Sequence, residues 1–293
     1  MTGEEWKPKD GGCTAWLTVL GSFTVLGFSM GIVNSYSVIY VELIKTLEEQ
    51  NVPNAAYKAS LVGSLAFGII YFLSIASGIL CDRLGLRWTA ILGTVIGTLG
   101  LLASSWLTNK VEALLFTYSV VYGIGTGLSL TTSKVILSFH FKKRLGLVNG
   151  ITCAGGSIFG VILPALIGVL LPLIGLEWFF RVLALMFLVL LLLGAATFQI
   201  PAQSRAIINE KRKGKITLSS TINTENWHNL RFVIWCIAVP IVGFGYFVPF
   251  VHIVNFVQIQ FPGTNGSQFI MYLSFGAACS RLVFGIISDH PKI

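Results

Sequence analysis

The chain has 293 residues, of which 54% are hydrophobic and only 11% are charged, and its mean hydropathy is +0.80. Soluble globular domains carry about 25% charged residues, so these figures exclude an ordinary water-soluble enzyme and point to a chain solvated by lipid. The formal net charge is +8, but the basic residues are placed as a topology signal and not as a nucleic-acid footprint.

The first ten residues are polar, and the run that follows, 11–41, is free of charge. It is too long for the core of a cleavable signal peptide, so the first span is expected to serve as its own insertion signal. Further charge-free runs occupy 59–81, 88–109, 113–133, 145–176, 182–204 and 232–280. A helix needs roughly 20 apolar residues to cross a bilayer, so each of the first six runs holds one span. The last is too long for one helix. It is broken by "QIQFPGTNGSQ", Gln258 to Gln268, which has turn composition. That predicts a seventh span near 230–257 and an eighth near 268–289. The stretches are uniformly apolar and lack the one-sided stripe of a buried helix in a soluble protein.

The second span ends in "GILCDRLGLR", Gly78 to Arg87. This is a tight polar turn. Gly85 permits positive φ, and Asp82 can accept hydrogen bonds from Arg83, Arg87 or a nearby helix N-terminus. "GIGTG", Gly123 to Gly127, follows no strand and lies within the fourth span, so it reads as a helix-packing motif and not a phosphate loop. Lys134 near that span's end can snorkel toward water. Next comes "FHFKKRLGLVNGITCAGGSIFG", Phe139 to Gly160. It holds the basic cluster Lys142, Lys143 and Arg144, and its Gly156 and Gly160 form a close-approach G-x-x-x-G. Six spans are complete by about residue 200. The polar, basic stretch Pro201 to Asn229 is then expected to be a linker. The expected organisation is therefore a six-helix bundle over 1–200, a cytoplasmic linker over 201–229 and a partial second bundle of two helices over 230–293.

With the N-terminus in the cytoplasm, thirteen of the twenty Lys and Arg fall on the cytoplasmic side, and only Lys45, Lys58, Lys110 and Arg181 fall outside. That bias sets the expected orientation. It places Asn265, in the sequon Asn265-Gly266-Ser267, outside as a candidate glycosylation acceptor. The five cysteines show neither metal nor disulfide spacing and are read as small apolar residues. No cofactor or metal is expected. No Ser/His/Asp set or metal cluster suggests an enzyme, and His140 and His228 sit near helix ends without carboxylate partners.

Arg281 stands out within the eighth span, since a charge there costs at least ~3 kcal/mol on insertion scales and normally faces a polar pathway or a partner. Arginine stays protonated and can hold a carboxylate with two parallel hydrogen bonds. His252 in the seventh span lies nearer the outer end, offset from Arg281 in depth by ~10 Å at 1.5 Å per residue. It is either a substrate contact or a histidine bonded to backbone. Asn34 in the first span has the same two readings, substrate contact or packing.

"GIISD", Gly285 to Asp289, ends the eighth span as "GILCD", Gly78 to Asp82, ends the second. Repetition at equivalent places in two halves suits a transporter built from two related bundles. The Gly78–Arg87 pattern resembles the signature loop of the major facilitator superfamily, which implies a conformational-switch role for Gly78, Asp82, Arg83, Gly85 and Arg87, with Asp289 as the counterpart. Phe139–Gly160 is similar to a segment of the monocarboxylate transporter family, and "DGGCTAW", Asp10 to Trp16, resembles that family's opening, with Cys13 where an aromatic is expected. The Gly245–His252 and Ser280–Gly285 runs resemble the branch that carries aromatic amino acids and iodothyronines. The resemblance implies an all-α polytopic plasma-membrane carrier working by alternating access, with Arg281 as the substrate-anion site and a single-span accessory subunit as a candidate partner. Where proton-coupled members have an intramembrane lysine and aspartate, this sequence has Asn34 and Ala277, which favours facilitated transport. On this reading the chain holds one whole half and the first two helices of another. The alternative is a truncated, non-transporting isoform or partial gene product acting as a membrane interaction protein.

Overall fold

The computed structural model describes residues 10–201 and 227–290. Most of the expected linker, with Arg205, Lys211, Arg212, Lys213 and Lys215, lies outside the described residues, as do Lys7 and Lys9. The described residues are helical throughout the expected spans, and seven helices are long and apolar enough to cross a membrane.

The first span is two helices, α1 (Cys13–Asn34) and α2 (Tyr36–Glu49), interrupted at Ser35. The second is likewise divided into α3 (Ala55–Phe72) and α4 (Ser74–Leu84) at Leu73. Gly85, with φ 91° and ψ 154°, turns the chain into α5 (Leu86–Trp106), a conformation that glycine adopts without strain. The fourth span joins α6 (Val111–Leu114), a π-helical stretch over Leu115–Tyr122, and α7 (Gly123–Ser138). Neither the interruptions nor the π-helical turn is marked by Pro or Gly, so sequence punctuation does not reveal them.

The next helix, α8 (Leu145–Ala196), runs for 52 residues. At 1.5 Å per residue that is ~78 Å, far beyond a hydrocarbon core of ~30 Å. Gly175, at φ 73° and ψ 167°, breaks it into two helices, which gives the fifth and sixth spans. The last two helices are α9 (Leu230–Gln260) and α10 (Ser267–Ser288), close to the expected 230–257 and 268–289. The count is therefore eight.

Small residues set the packing, as expected where lipid removes the hydrophobic drive between helices. A Cβ added to Gly27 or Gly31 of α1 would collide with Phe159 of α8. Gly93 of α5 faces the carbonyl of Gly125, and a Cβ at Gly97 would meet Phe187, so "GIGTG" does serve helix packing. α10 lies along the first half of α8, where Gly150 approaches the Arg281 carbonyl and Gly285. α9 meets α2 and α3 through Tyr40–His252 and the stacked pair Phe67–Phe247.

Candidate functional site

Arg281 lies fourteen residues, ~21 Å, into α10, and ~10 Å from its far end. Its half-buried guanidinium turns onto α8 and α9. Nη1 donates to the Cys153 carbonyl and to Ser157 Oγ, both at 2.8 Å, and Nη2 donates to the Tyr246 hydroxyl at 2.7 Å. Met30 of α1 packs against Gly156 beside Nη1, and Tyr71 of α3 stands within electrostatic range of Arg281 and Tyr246. Among the described residues no carboxylate lies within ion-pair distance of it. A guanidinium has five N–H donors. The three bonds above leave Nε–H and one Nη2–H without a protein partner among the described residues. Nε and Nη2 share one side of the guanidinium, the side on which such a group can take a carboxylate. Aromatic rings gather around Tyr246 and Tyr71, in the Phe67–Phe247 stack at 4.2 Å, Phe67–Tyr71 at 4.8 Å and Tyr246–Phe250 at 5.1 Å.

Asn34 is buried and reaches the same turn of α8, its Nδ2 donating to the Gly156 carbonyl at 3.3 Å. Arg281 and Asn34 thus converge on residues 153–157, the small-residue stretch of the basic motif. His252 does not join them. It lies six residues beyond Tyr246 on α9, ~9 Å along the axis, exposed and edge-on to Tyr40 with ring centroids 5.3 Å apart. Lys134 is exposed. Buried His140 is satisfied locally, with Nε2 2.7 Å from the Gln199 carbonyl.

The loop residues fall at one end of the bundle. Asp82, Arg83 and Arg87 are exposed around the Gly85 turn, and the basic residues Lys142, Lys143 and Arg144 are exposed just before α8. Asp289 does what its place in the motif suggests a carboxylate can do. Its two oxygens accept from the backbone N–H groups of Gly146 and Leu147, each at 2.7 Å, so α10 caps the positive N-terminus of α8. Asn265 is exposed between α9 and α10, accepting hydrogen bonds from Ser267.

Asp10 makes a contact that the motifs do not disclose. Its Oδ1 accepts from the backbone N–H groups of Lys142 and Lys143, both at 2.6 Å, while Trp16 packs edge-on to Phe141 at 5.5 Å. The Asp10–Trp16 and Phe139–Gly160 motifs therefore touch. Partial burial raises the Asp10 carboxyl pKa, but the backbone N–H groups of Lys142, Lys143 and Arg144 and the Lys143 charge outweigh it and hold the group below its ordinary value. A depressed folded-state pKa adds stability above the unfolded value and loses it as pH falls through the folded one. Thermal unfolding should show the native chain ahead of Asp10→Asn at neutral pH, with the gap closing below about pH 4.

Sequence comparison gives this arrangement its context. The family model described as Major Facilitator Superfamily matches residues 19–293. The chain belongs to this superfamily. Its relatives include monocarboxylate transporter 10 of Rattus norvegicus, 35% identical over 293 residues, covering 97% of this chain and 56% of that protein. The human protein of the same name is 32% identical over 284 residues, covering 94% of this chain and 55% of the relative. Monocarboxylate transporter 4 of Gallus gallus is 25% identical, at 96% and 58% coverage. The chain spans about half the length of the curated relatives it matches. As a major facilitator chain it is a multi-pass membrane protein of a transporter family. Tyr246 and Ser157 are not singled out by their sequence. The available signal is a hydroxyl on an otherwise apolar span, one that many spans share.

Proposed function

We propose that the chain carries monocarboxylate-type organic anions or aromatic amino acids across the plasma membrane by alternating access. The carrying observation is the Arg281 guanidinium, braced by Cys153, Ser157 and Tyr246, with two donors unpartnered among the described residues and aromatic rings gathered around Tyr246. Arg281 holds the substrate carboxylate. Asn34 lines the same level, and His252 forms an outer station ~9 Å away. The N-terminus is cytoplasmic, residues 1–200 form one bundle, 201–229 a linker and 230–293 the start of a second. The turn residues Gly78, Asp82, Arg83, Gly85 and Arg87, with Asp289, form the switch; the Asp289 cap on α8 is made and broken as the halves rock. Lys142, Lys143 and Arg144 flank that cap, Asn265 is the outside glycosylation site, and a single-span subunit is a partner.

Transport is facilitated and not proton-coupled, because every carboxylate among the described residues stands near or beyond the end of a span. Radiolabelled uptake should rank tyrosine and an iodothyronine above lactate and be insensitive to an imposed proton gradient. Faster lactate uptake driven by acid outside would refute both parts.

A second reading, a non-transporting membrane interaction protein, is favoured by one observation. Tyr272, Phe275, Val283 and Phe284 of α10 are exposed, as a face awaiting another helix would be. Absence of saturable uptake for all three substrates, with the protein at the cell surface, would select it.

A further inference from the structure

One cationic side chain outside the transport site sits in a built environment. Arg181, in the second half of α8, stacks its guanidinium 4.4 Å from the ring centroid of Trp178 and 5.9 Å from that of Trp106. Its Nε donates to Ser105 Oγ at 3.4 Å. Among the described residues its two Nη groups have no hydrogen-bond partner, and no carboxylate lies within ion-pair distance, Glu177 one turn earlier included. Four N–H donors of a permanently charged group are thus available.

The location is marked by two exposed stripes. On α5 they are Trp88, Leu92, Val95, Leu99 and Trp106; on α8 they are Trp178, Leu185, Val189 and Leu193. The spacing of three, four or seven residues puts each set on one helix face, and such faces in a membrane helix meet lipid. Trp88 and Trp106 are eighteen residues apart, ~27 Å along the helix, which matches a hydrocarbon core of ~30 Å. Tryptophans at such spacing occupy the two membrane–water interfaces. Arg181 therefore stands at headgroup depth, at the end of the molecule away from the Gly85 turn, and on the lipid-facing side.

We propose that Arg181, held between Trp106 and Trp178, is a binding site for the phosphate of a phospholipid headgroup. The indole faces orient the guanidinium through cation–π attraction, and the free Nη edge meets the phosphate oxygens as a fork. Ser105 fixes the remaining donor. The acyl chains then lie along the two apolar stripes. The site is independent of Arg281 and of the transport reading.

The test is native mass spectrometry of the chain released from bilayer nanodiscs that contain phosphatidylcholine and diacylglycerol in equal amounts. The native protein should retain phosphatidylcholine in preference to diacylglycerol. Arg181→Gln should lower that retention by about fivefold or more, and Arg181→Lys, which keeps the charge without the planar fork, should fall between them. Equal retention of the two lipids by the native protein overturns the proposal and needs no substitution, so it decides the matter even if a variant misfolds. Undiminished retention by Arg181→Gln overturns it as well. Displacement of the lipid by inorganic phosphate would show a free-anion site and overturn the lipid assignment.

Discussion

Arg281→Ala is expected to abolish uptake while the protein still reaches the membrane. The side chain has two donors without a partner among the described residues, and each hydrogen bond to a charged group is worth about 1.5–3 kcal/mol. Losing both lowers carboxylate affinity by on the order of a hundredfold or more. Folding should survive, because the substitution removes a charge from an apolar span, which insertion favours. It leaves the Cys153 carbonyl and the Ser157 and Tyr246 hydroxyls without that donor. Arg281→Lys should rescue little, since an ammonium cannot reproduce the planar fork. Tyr246→Phe keeps the charge but frees Nη2, and should weaken uptake about tenfold, the loss of one charge-assisted bond. Saturable uptake by Arg281→Ala at native affinity, with equal surface expression, would remove Arg281 from the site.

The second large effect is expected on the α8–α10 seam. A Cβ at Gly150 would stand 2.7 Å from the Arg281 carbonyl and 3.0 Å from Gly285 Cα. Both are backbone atoms and cannot step aside, so Gly150→Ala must push the helices apart, at a cost of about 1–3 kcal/mol. That also pulls Asp289 away from the Gly146 and Leu147 amides, a helix cap whose loss alone costs about 1 kcal/mol. Together these shift a two-state equilibrium by roughly thirty- to several hundredfold, since about 1.4 kcal/mol is a factor of ten. Spin labels at Lys143 and His290, both exposed, should report a longer separation in Gly150→Ala and in Asp289→Ala. Gly168→Ala is the control: its added Cβ meets nothing nearer than Ser267 Oγ at 3.9 Å, so it should leave the distance unchanged. If Gly150→Ala also leaves it unchanged, the seam is not the moving contact.

Much of the molecule is legible in the order of its residues. Charge-free runs place the helices, and α9 and α10 begin and end within a few residues of expectation. Gly85 has the positive φ that its turn demands. Arg281 can be picked out because an intramembrane charge is too costly to occur without a use. Less legible are the partners. Cys153 and Ser157 are 128 and 124 residues away from Arg281 in sequence, and nothing in "TCAGGS" announces a guanidinium. Asp10 reaches over 132 residues to Lys142. Asn34 shares the Arg281 turn of α8, while His252 sits against Tyr40, at about the depth offset that its place in the sequence gives.

By itself the sequence determined the membrane class, the number of spans, the charge bias across them and the one costly residue among them. The membrane class, the number of spans and the cost of Arg281 follow from transfer free energies that act on each residue separately, and the charge bias from where Lys and Arg fall between spans. Tertiary structure decided which side of each helix meets which neighbour, and so what Arg281, Asp289, Asp10 and Arg181 touch. In a soluble protein an apolar stripe would fix that rotation from sequence. Here the helices are apolar all round, and their rotation is chosen by glycine contacts and interhelical hydrogen bonds, which exist only once the partner helix is in place.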